Sequence, residues 1–208
     1  MSAIRVLLVD DHVPFRRGVA DLLSAEDDFE LVGEANDGAE ALELARELVP
    51  DVVLMDLSMP RMDGFEATRR IKEEIPCVRI VVLTVSESEA SLSASLKSGA
   101  HGYLPKSITP QALLDIVRRV ACGEAPVSRV MAAHLLEELA DSGITQRERE
   151  VLGLVAEGNG DQKVAAALGI AESVVKNTLK NVLERLHREQ RAALGLASAA
   201  HPDGGLRR

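Results

Sequence analysis

Apolar residues in the first 121 positions come mostly in short runs, and each run delivers a polar side chain at its C-terminal end. Ile4–Val9 runs into Asp10 and Asp11, 52–55 into Asp56, and 78–83 into Thr84, while 101–104 leads through Pro105 to Lys106. Runs this short, bounded by turn residues, predict strands buried on both faces. Phe29–Ala35 reads as a further, less apolar strand. Between the runs the period changes. A helix opened by Pro14 carries Val19, Leu22 and Leu23, one over 39–49 carries Ala41, Leu42, Ala45 and Leu48, and others are predicted over 65–74 and 87–97. Thr109-Pro110 predicts a helix start with a hydroxyl cap and proline at the first helical position, ahead of Leu113, Leu114, Ile116, Val117 and Val120.

Strictly alternating strands and helices require a parallel sheet with right-handed crossovers and helices on both faces. All strand C-termini then share one edge, so Asp10, Asp11, Asp56, Thr84 and Lys106 converge there, where open α/β sheets place their ligands. Three carboxylates crowded together repel one another, and a hard divalent cation such as Mg²⁺, taking oxygen ligands at ~2.1 Å, relieves that repulsion. Asp10 and Asp11 are the expected metal ligands. Asp56 is the expected nucleophile, with Lys106 and Thr84 placed to neutralise the oxygens of a transferring phosphoryl group, the product being an aspartyl phosphate.

After residue 121 the strands stop. The stretch 122–127 breaks the pattern, 128–140 reads as one helix with Val130, Leu135, Leu136 and Leu139 apolar, and 141–143 ends it, so 122–143 is read as a partly helical linker. From 144 three helices are predicted. Thr145 and Glu148 form a capping box ahead of Val151, Leu152, Leu154 and Val155; Asp161–Leu168 is short; and 172–186 turns Val175, Leu179, Val182, Leu183 and Leu186 inward. Two helices joined by a glycine turn have the shape of a helix-turn-helix, and Lys176, Asn177, Lys180 and Asn181 fall on the face opposite the apolar stripe, the face a DNA groove would meet.

Composition narrows the function classes. With 46% hydrophobic and 27% charged residues the chain is long enough for one or two packed domains, and its net charge of -9 is unevenly spread. Residues 1–121 hold 13 basic and 21 acidic side chains, near -8, whereas 144–208 hold 10 and 8, near +2, which suits a C-terminal part that approaches a polyanion. No run approaches the ~18 apolar residues of a membrane span, and two acids arrive too early for a signal peptide, so a cytoplasmic protein without a membrane partner is expected. Cys77 and Cys122 lack neighbours at metal-ligand spacing and read as ordinary thiols. His12 reads as a neighbour of the acids.

The DD at 10 and 11, DLSMPRMDG at 56–64, Thr84 and GYLPK at 102–106 closely resemble the receiver domain of two-component response regulators, over residues 1–121. The resemblance implies a flavodoxin-like fold, a five-stranded parallel sheet in order 2-1-3-4-5, and a sensor histidine kinase whose phosphohistidine is the donor. It also implies that the Ser58 backbone carbonyl joins Asp10, Asp11 and Asp56 around Mg²⁺. Thr84 and Tyr103 become a switch pair, and Ser58 and Ser86 positions that tune phosphoryl lifetime. Pro105 departs from the apolar residue many relatives carry there.

Residues 144–200 resemble the LuxR-type DNA-binding domain of NarL/FixJ regulators, a small all-α helix-turn-helix domain, through ITQREREVLGLVAEG and KVAAALGIAESVVKNTLKNVLERL. That implies double-stranded DNA as partner, with Lys176, Asn177, Lys180 and Asn181 at the groove, Arg188 and Arg191 as further contacts, and 192–200 as a helix forming a homodimer on phosphorylation. The tail 201–208 is expected to be disordered. Relatives commonly carry Ser, Thr and His where Ala171, Val174 and Thr178 stand, and Ser, Asn and Lys at Gly160, Asp161 and Gln162. These departures motivate an alternative, a regulator whose degenerate helix-turn-helix binds a protein instead. A phosphatase using Asp56 is disfavoured, because Ser58 stands where a second acid would protonate a leaving group.

Overall fold

The apolar runs form one five-stranded parallel sheet, ordered β2-β1-β3-β4-β5. The computed structural model describes residues 3–85, 88–140 and 143–193. Its strands are β1 (Ile4–Val9), β2 (Phe29–Ala35), β3 (Val52–Asp56), β4 (Arg79–Thr84) and β5 (Gly102–Pro105). Successive side chains of a strand face opposite ways. Val6 and Leu8 therefore join Leu54, Val81 and Leu83 under α1 (Val13–Ser24) and α5 (Pro110–Ala121), where Leu23, Leu113 and Val117 meet them. Leu7 and Val9 join Val53 and Met55 on the other face, under α2 (Gly38–Leu48) and α3 (Gly64–Glu74). The sheet order and the helices on both faces are those expected from the sequence.

Element ends move by a residue or two where a side chain can cap. Asp37 accepts from the backbone of Ala39 and Glu40, starting α2 at Gly38, and Ser88 accepts from Ser91, starting α4 (Glu89–Lys97) two residues later than expected. Thr109 occupies the N-cap position of α5 but makes no capping hydrogen bond, contrary to the sequence expectation. Pro110 specifies that start, since its ring presets φ and it has no N–H to satisfy. Ser86 lies outside the described residues.

The remaining helices are α6 (Arg129–Glu138), α7 (Gln146–Ala156), α8 (Asp161–Leu168) and α9 (Glu172–Ala193). The apolar residues of α6 do not all face inward. Val130 is 46% exposed, and Met131, Ala132, Leu135 and Leu139 make the buried stripe, because α6 is held between α4 and α7 and Val130 lies about 100° around the helix from Met131. Thr145 and Glu148 form both halves of the capping box of α7. The apolar stripe of α9 is buried as expected, from Val175 through Leu186, but the helix continues past 186 to Ala193. Residues 192 and 193 thus extend α9; 194–200 of the expected dimer helix, and the tail 201–208, lie outside the described residues.

One apolar cluster crosses from the sheet to these helices. Val82 and Tyr103 at the sheet, with Leu92 and Leu96 of α4, pack into the same core as Met131 and Leu135 of α6, Leu152 of α7, and Leu179 and Leu183 of α9. The segment read as a connector is therefore packed, and the C-terminal helices rest on the α4–β5 side of the sheet. Among the described residues no helix is long and apolar enough to cross a membrane.

Candidate functional site

Asp10 and Asp11 follow β1, Asp56 closes β3, Thr84 closes β4 and Lys106 follows β5, so the parallel sheet delivers all five to one edge. Oxygens of Asp10, Asp11 and Asp56 lie within 4.8 Å of one another. Asp10 is fully buried and Asp56 is 3% exposed, while Asp11 faces solvent. Lys106 bridges the buried pair, its Nζ at 2.7 Å from Asp10 Oδ2 and 3.1 Å from Asp56 Oδ2, with its charge 4.9 Å from the centre of the Phe15 ring.

Loss of hydration raises the pKa of Asp56, helped by the charge of Asp10, while Lys106 and the Leu57 N–H, 2.8 Å from Oδ1, work the other way. Burial depresses the Lys106 ammonium, but hydrogen bonds and charge from Asp10 and Asp56 outweigh it, so the lysine stays charged. Asp10 Oδ1 accepts from the His12 backbone at 2.9 Å, and buried Oδ2 faces the Lys106 ammonium at 2.7 Å. A buried carboxylate oxygen of this kind, beside two further carboxylates, fits a hard cation. Thr84 and Tyr103 are both buried, at neighbouring strand ends, and the backbone carbonyl of Thr84 accepts from Lys106 N at 2.7 Å.

Gly64 is a site residue that the sequence marked only as part of a turn. A Cβ on it would run into the Asp56 carbonyl and lie 2.8 Å from Leu57 Cα. Absence of a side chain lets the start of α3 close over the end of β3, with Gly64 N donating to Leu57 O at 3.0 Å.

The second candidate surface, the polar face of α9, is engaged within the molecule. Lys176 Nζ lies 3.3 Å from Glu124, just beyond α5, and 3.2 Å from Glu172. Arg119 of α5 reaches Glu124 at 2.8 Å and Asp161 of α8 at 2.9 Å. Lys180 pairs with Glu184 at 3.9 Å and lies beside Gly123. Asn177 and Asn181 are exposed. Arg188 and Arg191 also face solvent, but sit roughly 20 Å along the helix from Lys176. Arg191 lines a cleft with Arg69, Lys72, Lys97 and His187, so the structure does not bring it together with Lys176.

Residues 6–118 match the family described as response regulator receiver domain, and residues 142–196 match bacterial regulatory proteins of the luxR family. The chain belongs to the NarL/FixJ response regulators. It is 39% identical over 195 residues to the nitrate/nitrite response regulator protein NarL of Escherichia coli K12, covering 89% of this chain and 90% of the relative. It is also 39% identical over 191 residues to the transcriptional regulatory protein LiaR of Bacillus subtilis 168, covering 88% and 90%. The structure of response regulator ChrA, from a heme-sensing two-component system, superposes with a TM-score of 0.55 at 30% identity, covering 92% of this chain and 99% of that one. The family consists of transcriptional regulators with a receiver and a LuxR-type DNA-binding domain, not of enzymes.

The helix-turn-helix positions at which the resemblance implied other residues have visible surroundings. Gly160 caps α8 without a side-chain bond, Val174 is exposed, and Thr178 turns its hydroxyl back to the Val174 carbonyl at 2.8 Å. Asp161, an acid at the start of α8, finds its cation in Arg119 at the end of α5. Glu124 and Arg119 were invisible as site residues in the sequence, since their role depends on how two domains meet.

Proposed function

We propose that this response regulator accepts a phosphoryl group on Asp56 and that the modification releases the polar face of α9 to bind DNA. The observation that carries the reading is the buried cluster of Asp56, Asp10 and Lys106 at the sheet edge, in a chain whose α9 polar face is paired with residues 119–124. A sensor kinase's phosphohistidine is the donor: an Asp56 carboxylate oxygen forms the new O–P bond as the P–N bond breaks, leaving its electron pair on the imidazole. Lys106 moves its charge from Asp56 to the transferred oxygens, and the Thr84 hydroxyl donates to another. Asp10, Asp11 and Asp56, with the Ser58 carbonyl, would hold Mg²⁺, which supplies positive charge to the phosphoryl oxygens when bound.

Reorientation of Thr84 toward the phosphoryl group opens space into which the already buried Tyr103 ring shifts. Tyr103 shares its apolar cluster with Leu92 and Leu96 of α4 and with α6 and α9, so a change at its ring is felt where the helix-turn-helix rests. Inverting a closed-to-open ratio from 99:1 to 1:99 needs ~5.5 kcal/mol, which phosphoryl, metal and homodimer contacts supply together. Once released, Lys176, Asn177, Lys180 and Asn181 approach bases and phosphates, with Arg188 and Arg191 on flanking phosphates. We assign 1–121 to the receiver, 122–143 to the connector and 144–200 to the DNA-binding domain, in a protein of the cytoplasm. The Arg119–Asp161 pair favours DNA over a protein partner, because it gives the least phosphate-friendly residue of the helix-turn-helix a role in the closed form.

The test is selection from random-sequence duplexes with protein loaded with Mg²⁺ and beryllofluoride, an acyl-phosphate mimic, beside a Lys176→Ala control. Enrichment of a two-fold symmetric site, lost in the control, is expected; no enrichment by demonstrably loaded protein would point to the protein partner instead.

A further inference from the structure

We propose that Glu89, His134 and Glu137 form a site for a divalent transition metal, with Zn²⁺ the best-fitting ion, that ties α4 of the receiver to α6 of the connector. One ligand atom from each of the three lies within 4.8 Å of the others. His134 and Glu137 stand three residues apart on α6, on neighbouring positions of one helix face, and Glu89 opens the facing helix α4.

The decisive observation is the state of the histidine. His134 is only 8% exposed, yet neither ring nitrogen has a hydrogen-bond partner. An imidazole stripped of water and left unpaired is costly, and a ligand for its nitrogens removes that cost. Its nearest anion, Glu138 Oε2, is 3.8 Å from Nε2, too far for a hydrogen bond, and Glu138 is engaged by Lys97 at 2.6 Å. Glu89 and Glu137 are exposed and have no such commitment in the described residues, so their carboxylates can swing inward.

One imidazole nitrogen with two carboxylates selects among metals. Mg²⁺ and Ca²⁺ prefer all-oxygen sets, whereas Zn²⁺ takes histidine and carboxylate at about 2.0–2.2 Å and completes its shell with water. With the ligand atoms already within 4.8 Å of one another, closing to a tetrahedral edge requires at most a movement of about 1 Å, within reach of two glutamate side chains. Because the ligands come from both sides of the α4–α6 contact, the ion binds the packed arrangement better than the separated one, and at a hundred times its dissociation constant it favours packing about a hundredfold.

The experiment is calorimetric titration of the full chain, stripped of metal, with Zn²⁺ in buffer saturated with Mg²⁺. One equivalent should bind, with affinity falling about tenfold or more in Glu89→Gln and Glu137→Gln and further in His134→Ala. Co²⁺ should give visible d–d bands that the same variants lose. Glu89→Gln changes an exposed residue and so separates loss of the site from loss of the fold. Absence of saturable Zn²⁺ binding, or binding unchanged by these variants and lost in Asp10→Asn, would overturn the proposal, and neither result depends on whether Asp56 is phosphorylated.

Discussion

Gly64 is the residue of the Asp56 site with the least freedom to change, and its constraint is crowding, not backbone sign. Gly64→Ala should destabilise the chain by about 2–3 kcal/mol in urea unfolding, because the new methyl group meets the Asp56 carbonyl and forces α3 away from β3. Beryllofluoride loading should fall as well. His187 makes a different prediction. It is 7% exposed on α9, its ring 5.5 Å from that of half-buried His101, and loss of hydration with the nearby charges of Lys72 and Arg191 pushes it down to about 4, against the pull of the Ala100 carbonyl. His101 is likewise held well below the usual range by burial and by Lys72, His187, Arg79 and Arg191. A base whose pKa is lowered on folding leaves stability intact above its unfolded value of 6.5 and removes it as pH falls toward about 4. Unfolding free energy should therefore drop by about 2 kcal/mol between pH 7 and pH 5 through His187 alone, and His187→Gln should show a correspondingly shallower loss. Asp10, Asp56 and Lys106 were legible in the sequence because position after a buried strand fixes where a side chain goes. Gly64 and His187 were not, since one depends on a close approach and the other on a neighbour from another domain.

At the scale of elements, the strands read most clearly. Burial on both faces leaves β1, β3 and β4 almost wholly apolar, and the alternation of helices with them leaves only one sheet order compatible with the family resemblance. Helix faces were harder where one helix touches two others. α6 and its C-cap carry apolar residues at 130, 131, 132, 133, 135, 136 and 139, more than one stripe, and only packing between α4 and α7 selects Met131 over Val130. α9 outran its expected end at 186 because no proline or glycine stops it before Gly195, and its added turns carry Arg188 and Arg191. Capping followed chemistry in α7 and failed in α5, where proline made the hydroxyl bond unnecessary.

The whole molecule adds what neither residues nor elements foretold: the polar face of α9 and the start of α8 are tethered to the end of α5 by Arg119, Glu124, Lys176 and Asp161. No periodicity encodes such a contact, because these charges look solvated in the sequence. Partly exposed ion pairs are worth about 1 kcal/mol or less. Arg119→Ala should thus raise the DNA affinity of unmodified protein about fivefold and leave that of loaded protein unchanged, read by fluorescence anisotropy. The central claim is that chemistry at Asp56 controls release of α9. It is tested most directly by anisotropy on a selected duplex with wild-type and Asp56→Ala protein, each with and without Mg²⁺ and beryllofluoride. Loading should raise the affinity of the wild type steeply and leave that of the variant unchanged; equal affinity in all four samples would exclude control by Asp56.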